Sequence, residues 1–163
     1  EGYVSNTNKV SELLKSTEVD TPVYNELKRR FGWEWNGMRL HELYFGNMIK
    51  GGMILDKKSI FATKITERFG SFEAWEKDFM GTGSMRGIGW AILFYDKNDG
   101  RMFNVWVGEH DAGHLVGAMP ILVMDVFEHA FALDYGIKRA DYISAFLNAI
   151  DWKVVNDRFL AGK

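Results

Sequence analysis

The sequence predicts an α+β fold, with two helices first and then helices flanking a three-stranded sheet. Three observations predict it. Residues 1–52 carry apolar positions near helical spacing and no alternating pattern. Trp90 to Asp96, Met102 to Val107 and Ile121 to Val126 are short runs rich in β-branched and aromatic residues, the composition of strands. The first two runs are joined by Lys97-Asn98-Asp99-Gly100, whose turn chemistry suits a hairpin, so the sheet is expected to be antiparallel.

Composition bounds the rest. A chain of 163 residues suffices for one domain, or two small ones sharing a core. The expected division is a helical part over 1–52 and an α/β part over 53–163. The aromatic fraction of 15% is high and suggests a core or site walled by rings. A net charge of −2 gives no reason to expect nucleic acid or an anionic membrane as partner. There is no cysteine, so any metal would be held by His and carboxylate. No apolar run approaches the roughly 20 residues of a membrane helix. No export signal is visible, and cytoplasmic location is the default expectation.

In chain order, Tyr3, Val10, Leu13 and Leu14 mark a first helix, and Ser16 to Asp20 a turn. Thr21 before Pro22 is a cap followed by a first-turn proline, so a second helix should start there. It carries Val23, Leu27, Phe31, Trp35, Met38, Leu40, His41, Tyr44 and Met48, and Gly51-Gly52 should end it. Gly32 and Gly37 inside it suggest a close neighbour or a local bend. Asp56 to Phe69 and Ser71 to Phe79 read as short helices, capped by Asp56 and Ser71. The glycine-rich stretch Gly81 to Gly89 lacks the spacing and flanking elements of a dinucleotide loop. After the third strand a helix should run from Glu128 to a break at Gly136. Arg139 to Ala149 and Trp152 to Phe159 read as the last two helices.

Chemistry concentrates where the third strand ends. Asp125 and His129 stand four apart with Glu128 between them. A buried strand does not place a carboxylate and an imidazole at its tip without partners, because unpaired buried charge is costly. One reading is a metal-ligand pair for iron, manganese or zinc. The commoner feature at such a junction is an Asp that caps the next helix.

Asp125-Val126-Phe127-Glu128-His129-Ala130-Phe131, with Asp134-Tyr135 and Lys138-Arg139-Ala140-Asp141-Tyr142, resembles the signature of the iron/manganese superoxide dismutases. That family usually has Asp-x-Trp-Glu-His-Ala-Tyr. The resemblance covers nearly the whole chain and favours the metal reading. It implies an antiparallel helical hairpin in the N-terminal part, and Asp125 and His129 as two of four protein ligands to one ion. Arg39-Leu40-His41-Glu42-Leu43-Tyr44-Phe45 matches the place of another ligand, His41. By itself a lone His on an amphipathic helix is more often a hydrogen-bonded core or rim residue. Glu128 would reach across a homodimer interface to the partner's ligand His, with a tetramer as the next assembly. Tyr3 would guard the entrance to the metal, and His110 would hydrogen-bond the solvent on it. His114 reads as a surface bystander. Gly87-Ile88-Gly89-Trp90 resembles the family's Gly-x-Gly-Trp loop. Trp90, Phe127, Phe45 and Trp152 would keep the cavity dry, and Arg139 would favour entry of an anion.

The implied activity is disproportionation of superoxide to oxygen and hydrogen peroxide by one iron or manganese ion per subunit. His110 and the phenylalanine substitutions point to iron, whereas Gly37 points to manganese. The pattern departs from the family at Phe131 and Ala132, where paired tyrosines are usual. The family's first ligand His is expected about two turns before Tyr3, so the N-terminal part is expected to be incomplete. Two other readings stay open. One is a dismutase-like metal-binding or structural dimer without turnover. The other is an oxygen-handling iron enzyme using His41, Asp125 and His129 as a two-His-one-carboxylate set.

Overall fold

The structure, a computed structural model, describes residues 1–162. The chain divides into two compact units, Glu1–Glu42 and the residues from Leu43 onward.

The first unit is a pair of helices, α1 (Gly2–Ser16) and the larger part of α2 (Pro22–Gly46). Residues near the start of α1 meet residues far along α2, so the helices run in opposite directions. Tyr3 lies 5.7 Å from the Trp33 ring and 5.0 Å from that of His41, and Asn6 Nδ2 donates to Glu34 Oε1 at 3.2 Å. Thr7 and Val10, three apart, are the buried positions of α1, as the helical period requires. The side chain of Thr21 accepts from the Tyr24 N–H and caps α2 ahead of Pro22. Nothing lies within 4 Å of where a Cβ would stand on Gly32, so that glycine admits no close neighbour.

The second unit holds the sheet. β1 (Gly89–Asp96), β2 (Arg101–Gly108) and β3 (Met119–Asp125) pair antiparallel in the order β2-β1-β3. β1 is central and buried along nearly its whole length, which explains why Trp90 to Phe94 is continuously apolar rather than alternating. The β1–β2 turn closes with Asp96 opposite Arg101, and the Gly100 N–H donates to Asp96 O at 2.8 Å. Helix α3 (Ile60–Phe69) packs on β2, and α4 (Phe72–Gly83) packs on α3, β1 and β2. Short α5 (Ala132–Tyr135), then α6 (Arg139–Asn148) and α7 (Trp152–Ala161), complete the unit. Its core joins Phe61, Ile65, Trp75, Phe79 and Phe159 to the sheet.

Three of the boundaries that differ from the sequence reading have a reason in the structure. α2 ends at Gly46 rather than Gly51-Gly52, because the next backbone groups are taken by another segment. Met48 bridges Ile150, the Ile49 N–H donates to Ala149 O at 2.8 Å, and the Asp151 N–H donates to Asn47 O at 3.0 Å. α3 starts after Ser59, whose hydroxyl accepts from the Ala62 N–H, while Asp56 makes a local turn with the Lys58 N–H. The helix expected from Glu128 is a 3-10 turn, Glu128–Ala130, followed by α5.

The outer edge of β3 is closed by side chains. Asn47, fully buried, takes the Val123 N–H on Oδ1 at 2.9 Å and donates from Nδ2 to Val123 O at 3.2 Å. Arg158 donates to Ile121 O, Leu43 O and Asn47 Oδ1. Burial lowers the pKa of that guanidinium from its ordinary value. No sequence pattern announces this arrangement, since a lone Asn after a helix reads as a terminator.

Candidate metal centre

β3 delivers Asp125 at its last position, opposite Trp90 of β1 and 1% exposed. The turn that follows depends on Gly89. Its φ of 145° is open to glycine, and a Cβ there would stand 2.1 Å from Val107 O. That backbone lets Gly89 O accept the Val126 N–H at 2.9 Å. The Phe127 N–H then donates to Asp125 Oδ1 at 2.9 Å, an Asx turn rather than the helix cap of the plainer reading, because the 3-10 turn starts only after Phe127. The other oxygen, Oδ2, lies 3.2 Å from His129 Nε2. Asp125 therefore does both things, bonding the turn with one oxygen and facing an imidazole with the other.

His41 stands on α2 one turn before Tyr44. Its Nδ1 donates to Gly37 O at 2.6 Å, so Nε2 carries the lone pair, the tautomer a metal ligand needs. His41, Asp125 and His129 each offer one ligand atom, and these atoms lie within 4.8 Å of one another. Two donors with bonds of about 2.1 Å to one ion stand about 3.0 Å apart at a right angle and about 4.2 Å apart when opposed. The His129–Asp125 separation matches the first case. The proton between His129 Nε2 and Asp125 Oδ2 is the one a cation would displace. The donor set fits a borderline divalent or trivalent ion.

The other predicted site residues fall as follows. The ring of Tyr3 stacks on His41 at an interplanar angle of 29°. His110 is fully buried, and Trp90 Nε1 donates to its Nδ1 at 3.1 Å. That bond fixes the tautomer with the proton on Nε2, so the neutral ring presents an N–H donor. Phe127 lies between imidazoles, 5.0 Å from the His110 ring and 5.1 Å from His129. Glu128 is exposed in the 3-10 turn. Arg139 donates to Gly87 O at 3.0 Å and sits 5.5 Å from the Trp106 ring and 5.9 Å from Phe131. Burial lowers its pKa, and Glu128 partly offsets the effect.

Two aromatics stand elsewhere than the resemblance suggested. Trp152 packs on Phe61, Phe72 and Trp75 in the core between α3, α4 and α7. Phe45 is 64% exposed, so its ring excludes little water. His114 is not a bystander. It is half-buried and donates from Nε2 to His110 O at 2.9 Å, bracing the loop that carries His110.

The sequence reading also missed a buried pair of phenols. Tyr142 donates to Asp125 O at 2.6 Å, and the Tyr44 hydroxyl lies 3.0 Å from that of Tyr142. Tyr44 appeared in a helical apolar stripe and beside His41 in the matched segment, and Tyr142 at the end of the matched signature, with no role given to either.

The chain is similar to known proteins along most of its length. Residues 57–158 match the family described as iron/manganese superoxide dismutases, C-terminal domain. The chain is 38% identical to the superoxide dismutase (Fe) of Cupriavidus metallidurans, over 98% of this chain and 82% of that protein. It is 36% identical to superoxide dismutase (Mn) 2 of Haloferax volcanii, over 93% and 76% respectively. It is 35% identical to the superoxide dismutase (Fe) of Aquifex pyrophilus, over 97% and 77%.

Proposed function

We infer, from a chain that belongs to the iron/manganese superoxide dismutase family and places three ligand atoms of His41, Asp125 and His129 together, that its function is to hold one redox-active iron or manganese ion. The observation that carries this is the His-Asp-His set, with Asp125 buried at a strand end and His41 in the ligating tautomer. Bound there, the ion would supply one-electron redox chemistry toward superoxide.

The protein's own groups have separable tasks in this reading. Asp125 and His129 supply charge and an imidazole from one turn, and His41 supplies a second imidazole from α2. His110 offers a fixed Nε2–H donor, set by Trp90, toward an oxygen near the ion. Phe127 and Trp90 shield it from water, since buried His110 lies within 6 Å of both ring centroids. Tyr3, stacked on His41, would restrict approach to small anions.

The described residues hold three of the four donors that the family resemblance implies. The first reading is a dismutase-like metal-binding protein without turnover, which asks only for those three donors. Dismutation is the second reading, favoured by the activity in the relatives' names. Those names include both iron and manganese, so they support neither metal over the other. Homodimer formation through Glu128 and a cytoplasmic location belong to the same proposal; among the described residues no helix is long and apolar enough to cross a membrane.

Metal analysis of the purified protein, paired with a superoxide-consumption assay, separates the readings. One equivalent of iron or manganese without turnover supports the first, and turnover supports the second. A protein that retains neither metal nor binds added Mn²⁺ refutes both. Light scattering of the same sample tests the dimer, and cell fractionation the location.

A further inference from the structure

Asp125 is held by its backbone as well as by its carboxylate. Tyr142 of α6 donates its phenol proton to Asp125 O at 2.6 Å. A phenol has one proton to give. The 3.0 Å bond between the two hydroxyls must therefore be donated by Tyr44. Donation runs in one direction, from Tyr44 to Tyr142 to the Asp125 carbonyl. Both residues are buried, at 7% and 5% exposure. Burial raises both phenols above their ordinary value of 10.0, so both stay protonated and able to donate at neutral pH.

The rings are fixed independently of the hydroxyls. Tyr44 stacks on Phe146 at 5.9 Å, and Tyr142 stacks on Phe131 at 5.5 Å with Tyr135 against its edge. Phenylalanine would fill the same space. What the hydroxyls add is a link between the last turn of α2, three residues after His41, and the final residue of β3. With the Val126 N–H on Gly89 O and the Phe127 N–H on Asp125 Oδ1, that link leaves the Asp125 carboxylate little freedom.

We propose that Tyr44 and Tyr142 are positioning residues that set where Asp125 stands relative to the last turn of α2, and so set the affinity of the centre for its cation. This rests on the metal-binding reading above. Groups that orient a ligand typically change metal affinity about 10–100-fold when removed.

The test uses the full chain, Mn²⁺ alone as probe, and chelator competition to measure its Kd. Tyr142→Phe should weaken binding about 10–100-fold. Tyr44→Phe should weaken it by a smaller factor, because Tyr142 keeps its bond to Asp125. On the Tyr142→Phe background Tyr44→Phe should add less than about twofold, since its acceptor has gone. The visible spectrum of the Co²⁺-loaded Tyr142→Phe protein should shift, reporting altered ligand geometry. A folded variant whose Kd stays within about twofold of the parent, with only the metal-free melting temperature lowered, overturns the proposal and leaves the pair a stability element. Should Tyr142→Phe fail to fold, Tyr44→Phe decides alone: weaker Mn²⁺ binding supports the proposal, and an unchanged Kd overturns it. A parent protein that binds no Mn²⁺ sinks the underlying reading instead, a result distinct from an unchanged variant.

Discussion

Asn47→Ala should be among the most damaging substitutions of a polar residue in this protein. The side chain is fully buried and makes four hydrogen bonds, two to the backbone of Val123, one to Tyr44 O and one from Arg158. Truncation leaves the Val123 N–H and C=O without partners on the outer edge of β3. Val123 is itself fully buried, so water does not replace them readily. Each orphaned buried group costs about 1–3 kcal/mol, which gives about 4 kcal/mol for the pair. Arg158 keeps its bonds to Ile121 O and Leu43 O, so its share adds little. Urea unfolding followed by tryptophan fluorescence and far-ultraviolet dichroism measures the loss. With a slope of about 2 kcal/mol per molar urea, the midpoint should fall by about 2 M. Asn47→Asp keeps the acceptor and should lose less. A loss below about 1 kcal/mol for Asn47→Ala would show that the β3 edge does not depend on this side chain.

Further expectations concern the centre and its surroundings. His129 is more than half exposed, so His129→Ala should leave the metal-free melting temperature nearly unchanged while removing the stabilisation that Mn²⁺ gives, about 2.7 kcal/mol at 100 times Kd; a variant that Mn²⁺ still protects in full would place the ion elsewhere. Trp90→Phe removes the donor to His110 Nδ1 and should release its tautomer, read in the side-chain ¹⁵N shifts of His110; unchanged shifts would mean another group sets the proton. Burial keeps the Tyr44 phenol above its ordinary 10.0, so the native state holds a proton that the denatured chain releases above that pH. The stability this gives is complete below pH 10 and drains away above it, and Tyr44→Phe should flatten the decline by about 1.4 kcal/mol per pH unit. Parallel slopes in the two proteins would count against a buried, protonated Tyr44.

The sheet was legible because its pattern is local. The continuous apolar run Trp90 to Phe94 is short, follows a glycine and is rich in β-branched and aromatic residues, which favours a buried strand, and Lys97 to Gly100 dictates the turn. The Asp125–His129 spacing pointed to the strand tip, although it left a cap and a ligand both open; Asp125 closes an Asx turn on Phe127 instead of capping a helix, while facing His129. What escaped was set by partners distant in sequence. Gly51-Gly52 looked like the end of α2, yet the segment at Ala149 to Asp151 takes the backbone of residues 47–49 and stops the helix earlier. Asp56 is as good a cap by type as Ser59, and only packing of Phe61, Ala62 and Ile65 chooses between them. Tyr44 and Tyr142 lie 98 positions apart, and nothing in either neighbourhood foretells a shared proton.

A sheet rim shut by Asn47 and Arg158 instead of a fourth strand has a consequence for how the protein behaves when concentrated. Bare rims invite foreign strands to zip on, and two polar side chains here stand guard where a whole segment usually would. The guard is compact but removable: losing Asn47 would bare the Val123 amide and carbonyl, a short opening on which a foreign strand could pair.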